Sequence, residues 1–172
     1  MPINTNPHIH QLIVCANVFI KKDDKFLVIK RSDKKIYAPG FVGAIGGKVD
    51  KNENPYETAI REAREEAGLN INNLKLEAVI LELQPVKTEP YNWLIFYFSG
   101  DYKSGNLIKT QEGQLIWLDK KSLISSKLYP SLKLAIKDII DPKIGPIFLT
   151  VGYGATESQP KVIDYNYSSI VK

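Results

Sequence analysis

Three glutamates of one predicted helix, Pro55–Ala67, are the residues of this chain best suited to bind a cation. At about 100° of rotation per residue, Glu62, Glu65 and Glu66 fall within an arc of about 100° of the helix surface. Like charges three or four residues apart each disfavour a helix by about a few tenths of a kcal/mol, so the cluster is costly unless cations neutralise it. Carboxylate oxygens at this density suit Mg²⁺, with Mn²⁺ as a substitute.

The same helix can also be interpreted as an ordinary solvated surface. Glu57 and Arg61, and likewise Arg61 and Glu65, have the i,i+4 spacing of ion pairs that are common on exposed helices. The residues before the helix favour a site instead, because a longer pattern includes them. From Gly47 the chain reads GKVDKNENPYETAIREAREEAGL.

This stretch resembles the Nudix box, G-x5-E-x7-R-E-U-x-E-E-x-G-U, in which U is aliphatic. The seven fixed positions and the two aliphatic ones are matched, in chain order, by Gly47, Glu53, Arg61, Glu62, Ala63, Glu65, Glu66, Gly68 and Leu69. At a usage of about 6 to 7% per residue type, a chance match to seven fixed positions in a chain of this length is on the order of one in a million. The chain is therefore identified as similar to the MutT-like Nudix family.

The resemblance implies hydrolysis of a nucleotide diphosphate linkage with a divalent metal bridging the phosphates and the helix. Carried over position by position, Glu62, Glu65 and Glu66 become the metal ligands, joined by a backbone carbonyl near Gly46 or Gly47. The chemistry of the residues agrees, because phosphates and carboxylates repel each other unless metal ions lie between them.

Catalytic roles are also implied for residues around these ligands. Glu53 and Arg61 are expected to brace the loop against the helix. Family members differ over which glutamate accepts the proton from water, and some use one outside the box, which Glu112 resembles. Glu62, Glu65 and Glu112 therefore all stay candidates, and an ordinary turn carboxylate is the alternative for Glu112.

Substrate contacts are expected from residues that flank the box. Arg31, Lys48 and the backbone of Gly46 are placed in sequence to meet phosphate oxygens, although plain surface charge is the alternative for the two cations. Four aromatic residues are candidates for stacking on a base, although aromatic residues in strands are usually core. These are Tyr37, Phe41, Trp93 and Tyr129.

The elements around the box predict an α/β fold, a Nudix-type α/β/α sandwich with a mixed β-sheet. The glycine-rich stretch Ser32–Gly47 is expected to be a long loop that brings backbone amides close to a ligand. Apolar patterns predict the other elements. Strands are expected over Gln11–Ile20, Phe26–Ile29, Leu76–Leu83, Trp93–Phe98 and Gln114–Leu118, and a helix over Leu132–Ile140.

Length and composition favour one domain over residues 1–172, with a core at about 11–141 and a C-terminal extension at 142–172. The extension contains an apolar run, Ile147–Val151, which we expect to be an edge strand. A hydrophobic content of 44% argues against disorder. The single Cys15 excludes a disulfide scaffold and fits the cytoplasm. No apolar window is long enough to span a membrane, and no secretory signal pattern is present.

The leading hypothesis is a Mg²⁺-dependent pyrophosphohydrolase that converts a nucleoside triphosphate, or an oxidised deoxynucleoside triphosphate, to a monophosphate and pyrophosphate. ADP-ribose, nucleotide sugars and dinucleoside polyphosphates stay open as substrates, because the box does not describe the loops that select them. A non-catalytic nucleotide-binding module is the alternative outside enzymes, but a pure binder has no need for a metal cage. A net charge of +4 does not require nucleic acid as a partner. A homodimer is compatible with the sequence.

Overall fold

Alternate residues of the first strand enter two separate cores, one on each face of the central sheet. In β1 (Leu12–Lys22), Cys15 and Phe19 pack into a cluster with the two C-terminal helices, whereas Ala16 and Val18 pack into a second cluster with the first helix. This alternation is the period of a strand buried on both sides. The predicted α/β/α sandwich with a mixed sheet is therefore confirmed.

The computed structural model describes residues 11–34, 38–142, 145–154 and 160–167, and nine strands and three helices lie within them. After β1 they are β2 (Lys25–Arg31), β3 (Val42–Gly43), β4 (Ile45–Lys48), α1 (Pro55–Glu65), β5 (Leu69–Leu83), β6 (Asn92–Gly105), β7 (Gly113–Asp119), α2 (Lys120–Ser125), α3 (Pro130–Ile140), β8 (Ile147–Tyr153) and β9 (Pro160–Tyr167). The predicted strands and the C-terminal helix are all present. β1 begins one residue later than predicted and ends two residues later, the bounds of the other predicted strands and of that helix are equal or wider, and α2 was not predicted.

The strands form one mixed sheet in the order β3-β2-β1-β6-β5-β8-β9, with β4 also paired to β1 and β7 to β2. The β1–β6 and β5–β8 pairs are parallel, and the other pairs are antiparallel. Helix α1 packs on β1, β4 and β5, while α3 packs on β5 and β6 from the other face. β4, the strand that carries Gly46 and Gly47, is thus paired with β1 and packed against α1.

The predicted loop over Ser32–Gly47 is partly wrong, because its second half contains β3 and β4. The short strand β4 is antiparallel to β1, with Asn17 opposite Gly46 and Cys15 opposite Lys48. Its hydrogen-bonding partners lie about thirty residues earlier in the chain, so the glycine-rich local composition does not reveal the strand. The consequence is that the backbone of the box's first glycine is held rigidly by the sheet.

The apolar run Ile147–Val151 forms a strand, but it does not lie at the edge of the sheet as predicted. It belongs to β8, which is parallel to β5 and antiparallel to β9, so β9 is the edge strand. The β9 side chain of Tyr165 donates a hydrogen bond to Asp138 Oδ2 of α3 at 2.8 Å. Both of its long edges are paired, and burial of the alternate residues Ile147, Leu149 and Val151 explains why these are apolar.

Helix α1 begins where the sequence predicts and ends two residues earlier. Asn54 accepts hydrogen bonds from the backbone amides of Tyr56 and Glu57, and the Glu57 carboxylate accepts one from the Asn54 amide, which is a complete capping box. The helix ends at Glu65, and the chain then turns through Gly68, whose φ of 73° suits glycine. The N-terminus of α1 is fixed by residues next to it in the sequence, and it was predictable for that reason.

None of the helices within the described ranges is long and apolar enough to cross a membrane.

Replacing the N-cap of α1 tests how much this local chemistry contributes to stability. We expect Asn54→Ala to lower the free energy of unfolding by about 1 kcal/mol, and Asn54→Gly to lower it by only about a few tenths, because glycine still suits the cap backbone. Urea denaturation of both variants and the wild type measures this. Equal stability of wild type and Asn54→Ala would contradict the capping role.

Candidate active site

Two adjacent glycines allow β4 to pack closely on both sides, Gly46 against β1 and Gly47 against α1. A Cβ atom added to Gly46 would lie 2.2 Å from the backbone oxygen of Ala16, and one added to Gly47 would lie 2.4 Å from Glu62 Oε1. Both distances are far below van der Waals contact, so no larger residue fits without displacing β1 or the glutamate. Glycine at these positions therefore brings a helix carboxylate directly against strand backbone.

Arg61 is the centre of an ion-pair network on the exposed side of this contact. Its Nε and Nη2 donate to the two oxygens of Glu53, each at 3.0 Å, which is the bidentate geometry that a guanidinium favours. Its Nη1 donates to Glu62 Oε1 at 2.8 Å and to Glu65 Oε2 at 3.0 Å. Nη2 also donates to the backbone oxygen of Lys48 at 3.3 Å. One side chain thus joins the loop, the helix and β4.

The Glu53 carboxylate is held firmly in its charged form. The hydrogen bonds from Arg61, and after them the one from the Thr58 hydroxyl at 2.6 Å, lower the pKa of Glu53 to about 2. The same contact with Glu53 is the main cause that raises the pKa of Arg61. The pair therefore stays ionised across the physiological range and links residues eight positions apart.

The glutamates that face the sheet are in a different electrostatic environment. Glu62 is 8% exposed, and burial raises its pKa despite the neighbouring Arg61. Glu66 accepts a hydrogen bond from the Gly46 amide at 3.3 Å, and burial, followed by the negative charge of Glu62, raises the pKa of Glu66 to about 7. Negative charge is thus concentrated where solvent screens it poorly.

Glu66 lies on the wall of a cavity of about 290 Å³ between the sheet and the start of α3. Most of the predicted polar site residues meet at this end of the cavity. They are Arg31, Gly46, Gly47, Lys48, Glu66 and Glu112. A cavity with a largely apolar lining and a few convergent polar groups is typical of a small-molecule site.

Arg31 is the cation placed to balance the carboxylates at this end. Its Nη1 lies 3.5 Å from Glu112 Oε2, and its guanidinium is also hydrogen-bonded to the hydroxyl of Tyr129. The charge of Glu112 contributes to raising the pKa of Glu66, and that of Arg31 lowers it, so these groups face one another. The aromatic ring of Tyr129 lies 5.6 Å from that of Phe41 beside them.

The donors at this place fit a hard divalent cation in their chemistry. Glu62 and Glu66 are partly desolvated carboxylates next to strand backbone, and their repulsion is what a bound cation relieves. Within the described ranges, no three histidine, cysteine, aspartate or glutamate side chains converge closely enough to hold a metal. Arg61 engages one oxygen each of Glu62 and Glu65, and the second oxygen of each keeps capacity for a cation.

Other sequence-predicted residues are not brought to the cavity. The Glu65 side chain is 61% exposed and turned to Arg61, away from the cavity wall. Tyr37 lies outside the described residues. Among the aromatic candidates, Trp93 and Tyr129 line the cavity, whereas Phe41 contacts Tyr129 from outside it.

The middle and the far end of the cavity are lined by residues that the sequence reasoning missed. They are Cys15, Asn17, Glu82, Tyr97, Ser131 and Tyr153. Glu82 interrupts the apolar run of β5, and a buried carboxylate in such a run is the one signal that could have identified this end.

Comparisons with known proteins bear on the family of the chain. The family model for the NUDIX domain matches residues 11–138. The uncharacterized Nudix hydrolase YvcI of Bacillus subtilis is 30% identical over 119 residues, which are 67% of this chain and 71% of that protein. A putative 8-oxo-dGTP diphosphatase of Mycobacterium tuberculosis is 28% identical over 95 residues, 53% of this chain and 43% of that protein.

A solved structure shares the fold over most of the chain. The crystal structure of a MutT protein from Bacillus halodurans superposes with a TM-score of 0.75 at 20% identity, covering 91% of this chain and 97% of that one. At this identity the likeness concerns the fold alone, and it extends across the strands beyond residue 138.

The Glu53–Arg61 pair generates a prediction about acid stability. Because the folded-state pKa of Glu53, about 2, is below its unfolded value of about 4.3, the pair stabilises the protein above about pH 4.5 and loses this effect as the pH falls toward 2. We expect Glu53→Gln to cost about 1 to 3 kcal/mol at pH 7.

Urea denaturation of wild type and Glu53→Gln at pH 7, 4 and 3 measures this difference. The gap between the two proteins should shrink as the pH falls. A gap that is the same at all three pH values would contradict the assigned pairing. Glu57→Gln is the matched control, because glutamine also completes a capping box.

Proposed function

From the premise that this chain belongs to the NUDIX domain family, we propose that it is a hydrolase of nucleoside polyphosphates. In this reaction water attacks a phosphorus atom, the phosphoanhydride bond breaks, and a triphosphate yields a nucleoside monophosphate and pyrophosphate. The observation that carries the proposal is the position of Glu66, a half-buried carboxylate hydrogen-bonded to the Gly46 amide at the polar end of an elongated cavity.

The charge pattern at this end supports a phosphate ligand that arrives with a cation. Glu62, Glu65 and Glu66 are the residues that would hold Mg²⁺ or Mn²⁺, with the backbone at Gly47. When bound, the cation would lower the pKa of water and offset the charge of the phosphates. Arg61 neutralises Glu53 and part of the charge of Glu62 and Glu65 from the opposite side.

The remaining polar residues are suited to binding the diphosphate and accepting a proton. Arg31 can donate two parallel hydrogen bonds to phosphate oxygens, and the Lys48 side chain lines the same cavity. Glu112, beside Arg31, is the candidate to accept the proton from water, because it lies outside the set of carboxylates assigned to the cation. Glu53 acts through Arg61 and keeps the loop and helix together.

Nucleoside triphosphates are the first substrates to test. The Mycobacterium tuberculosis relative is named a putative 8-oxo-dGTP diphosphatase, and the similar Bacillus halodurans structure is that of a MutT protein. Oxidised deoxynucleoside triphosphates therefore belong in the first panel, with ADP-ribose, nucleotide sugars and dinucleoside polyphosphates beside them. The cytoplasmic location and the homodimer stay predictions from the sequence.

A substrate panel with Mg²⁺, analysed by ion-exchange chromatography, tests the reaction. We expect nucleoside triphosphates to be converted to monophosphate and pyrophosphate. Release of orthophosphate with a nucleoside diphosphate as the other product would contradict the proposed reaction. Cleavage of nucleotide sugars alone would contradict the proposed substrate class.

Glu66→Gln tests the residue on which the proposal depends. We expect kcat/KM to fall by about 10²- to 10³-fold, the cost of losing one group that stabilises charge in the transition state, because the cation would lose a ligand. The free energy of unfolding at pH 8 should not fall, because a carboxylate with a raised folded-state pKa destabilises the protein above its unfolded pKa, and neutral glutamine removes that effect. Glu57→Gln on the same helix should keep full activity. Unchanged hydrolysis by Glu66→Gln would contradict the site.

A further inference from the structure

A second buried carboxylate lines the cavity at the end opposite Glu66. Glu82 lies on β5, is 5% exposed, and is opposite Trp93 of β6 and Val151 of β8 in the sheet. A charged or polar group buried on a sheet face costs free energy unless it has partners. It is the one charged residue in the stretch Ala78–Leu83, which is otherwise apolar, so its presence there needs a reason.

Two hydroxyl groups from other elements hold Glu82 in place. Its carboxyl group is hydrogen-bonded to Ser131 at the start of α3 and to Tyr153 at the end of β8, and burial raises the pKa of Glu82 in spite of both contacts. A carboxyl group offers about four lone-pair sites in all, so two hydroxyl partners leave it able to accept a further hydrogen bond from a ligand in the cavity.

The two ends belong to one cavity, which passes Cys15 near the middle of the sheet. Cys15 lies between them: the pKa of its thiol is raised to about 11, mainly by burial, and is affected by Lys48 and Glu62 from one side and by Glu82 from the other. All the residues of both ends line the same cavity. One elongated ligand can therefore contact both.

The register of the strands gives the distance that such a ligand spans. Gly46 is opposite Asn17, Asn17 is opposite Tyr97, and Tyr97 is opposite Ala78, so Gly46 and β5 are three strand spacings apart, about 14 Å. Glu82 lies four residues beyond Ala78 along β5, which adds a displacement of about 13 Å at right angles to the first. A phosphate group alone cannot reach across this distance, whereas a diphosphate with a large attached group can.

Aromatic rings surround Glu82 and define the chemistry of that attached group. Trp93, Tyr97 and Tyr153 line the cavity next to the carboxyl group. Aromatic faces favour a planar ring system, and a carboxyl group among them favours a ring that carries an N–H donor at its edge.

We propose that the inner end of the cavity binds the heterocyclic base of the nucleotide, with the Glu82 carboxyl group accepting a hydrogen bond from an N–H group of the base. This inference rests on the proposed function for the identity of the phosphate end. Glu82 is then a specificity residue: it contacts the base but not the phosphates that react.

Turnover of substrates with and without a base tests the proposal. The readout is the ratio of kcat/KM for a nucleoside triphosphate to kcat/KM for ribose 5-triphosphate, because any loss of folded protein cancels in a ratio. We expect Glu82→Met to lower this ratio by about 10- to 100-fold, the effect of losing a buried hydrogen bond to a carboxyl group, with turnover of the base-free substrate unchanged.

Glu77→Met is the matched control. Glu77 lies on the same strand, is 7% exposed and is hydrogen-bonded to Ser99, but it does not line the cavity. It should leave the ratio unchanged. If Glu82→Met lowers turnover of both substrates equally, Glu82 only anchors α3 to β8 and the proposal is wrong.

A comparison on the wild type needs no variant to fold. Adenosine triphosphate and purine riboside 5′-triphosphate share ring shape and phosphates, but the second has no exocyclic N–H group. The wild type should prefer the nucleotide with the exocyclic amine, and equal kcat/KM for the two would overturn the role of an N–H donor.

Nucleoside binding separates failure of this proposal from failure of the proposed function. Equilibrium dialysis with adenosine and guanosine, which carry no phosphate, should show binding to wild type and to Glu77→Met and weaker binding to Glu82→Gln. Binding without hydrolysis of any triphosphate would sink the proposed function and leave the base pocket. Equal kcat/KM for substrates with and without a heterocyclic base would contradict the base pocket and leave the proposed hydrolysis standing.

Discussion

The packing of α1 against the backbone of β4 is the constraint on which the rest of the structure depends. Gly47 has no side chain to separate them, and Gly46 lets β4 lie close to β1, so Glu62 and Glu66 are pressed against a strand that the sheet holds in place. Desolvation of these carboxylates follows directly from the contact. A site that concentrates poorly screened negative charge is stable only with positive charge nearby, and this explains the distribution of cations around it.

Arg61 and Arg31 divide this task. Arg61 lies on the exposed side, where its hydrogen bonds to Glu53 and Glu65 hold the loop before α1 against the helix. Arg31 serves the cavity side with Glu112 and Tyr129. The side between them, at Glu66 and Gly46, is where a phosphate ligand and its cation would add to the structure. The contacts that hold α1 in place thus also fix the positions of the glutamates that would bind the cation.

Prediction from the sequence succeeded where the determinants are local. The capping box at Asn54 and Glu57 fixes the start of α1, and the spacing from Gly47 to Gly68 identifies the family. It failed where distant pairing decides. Strand β4 depends on β1, and the interior position of β8 depends on β5. Glu82 was missed because its partners, Ser131 and Tyr153, come from elements far along the chain.

Titration of Mn²⁺ into the protein at pH 8, followed by electron paramagnetic resonance, measures whether these glutamates bind a cation, and it needs no assumption about the substrate. The expected result is that wild type removes the free Mn²⁺ signal, more strongly with a nucleotide present, and that Glu66→Gln binds clearly more weakly while Glu57→Gln matches wild type. Equal binding by all three proteins, or none by wild type even with nucleotide, would contradict it.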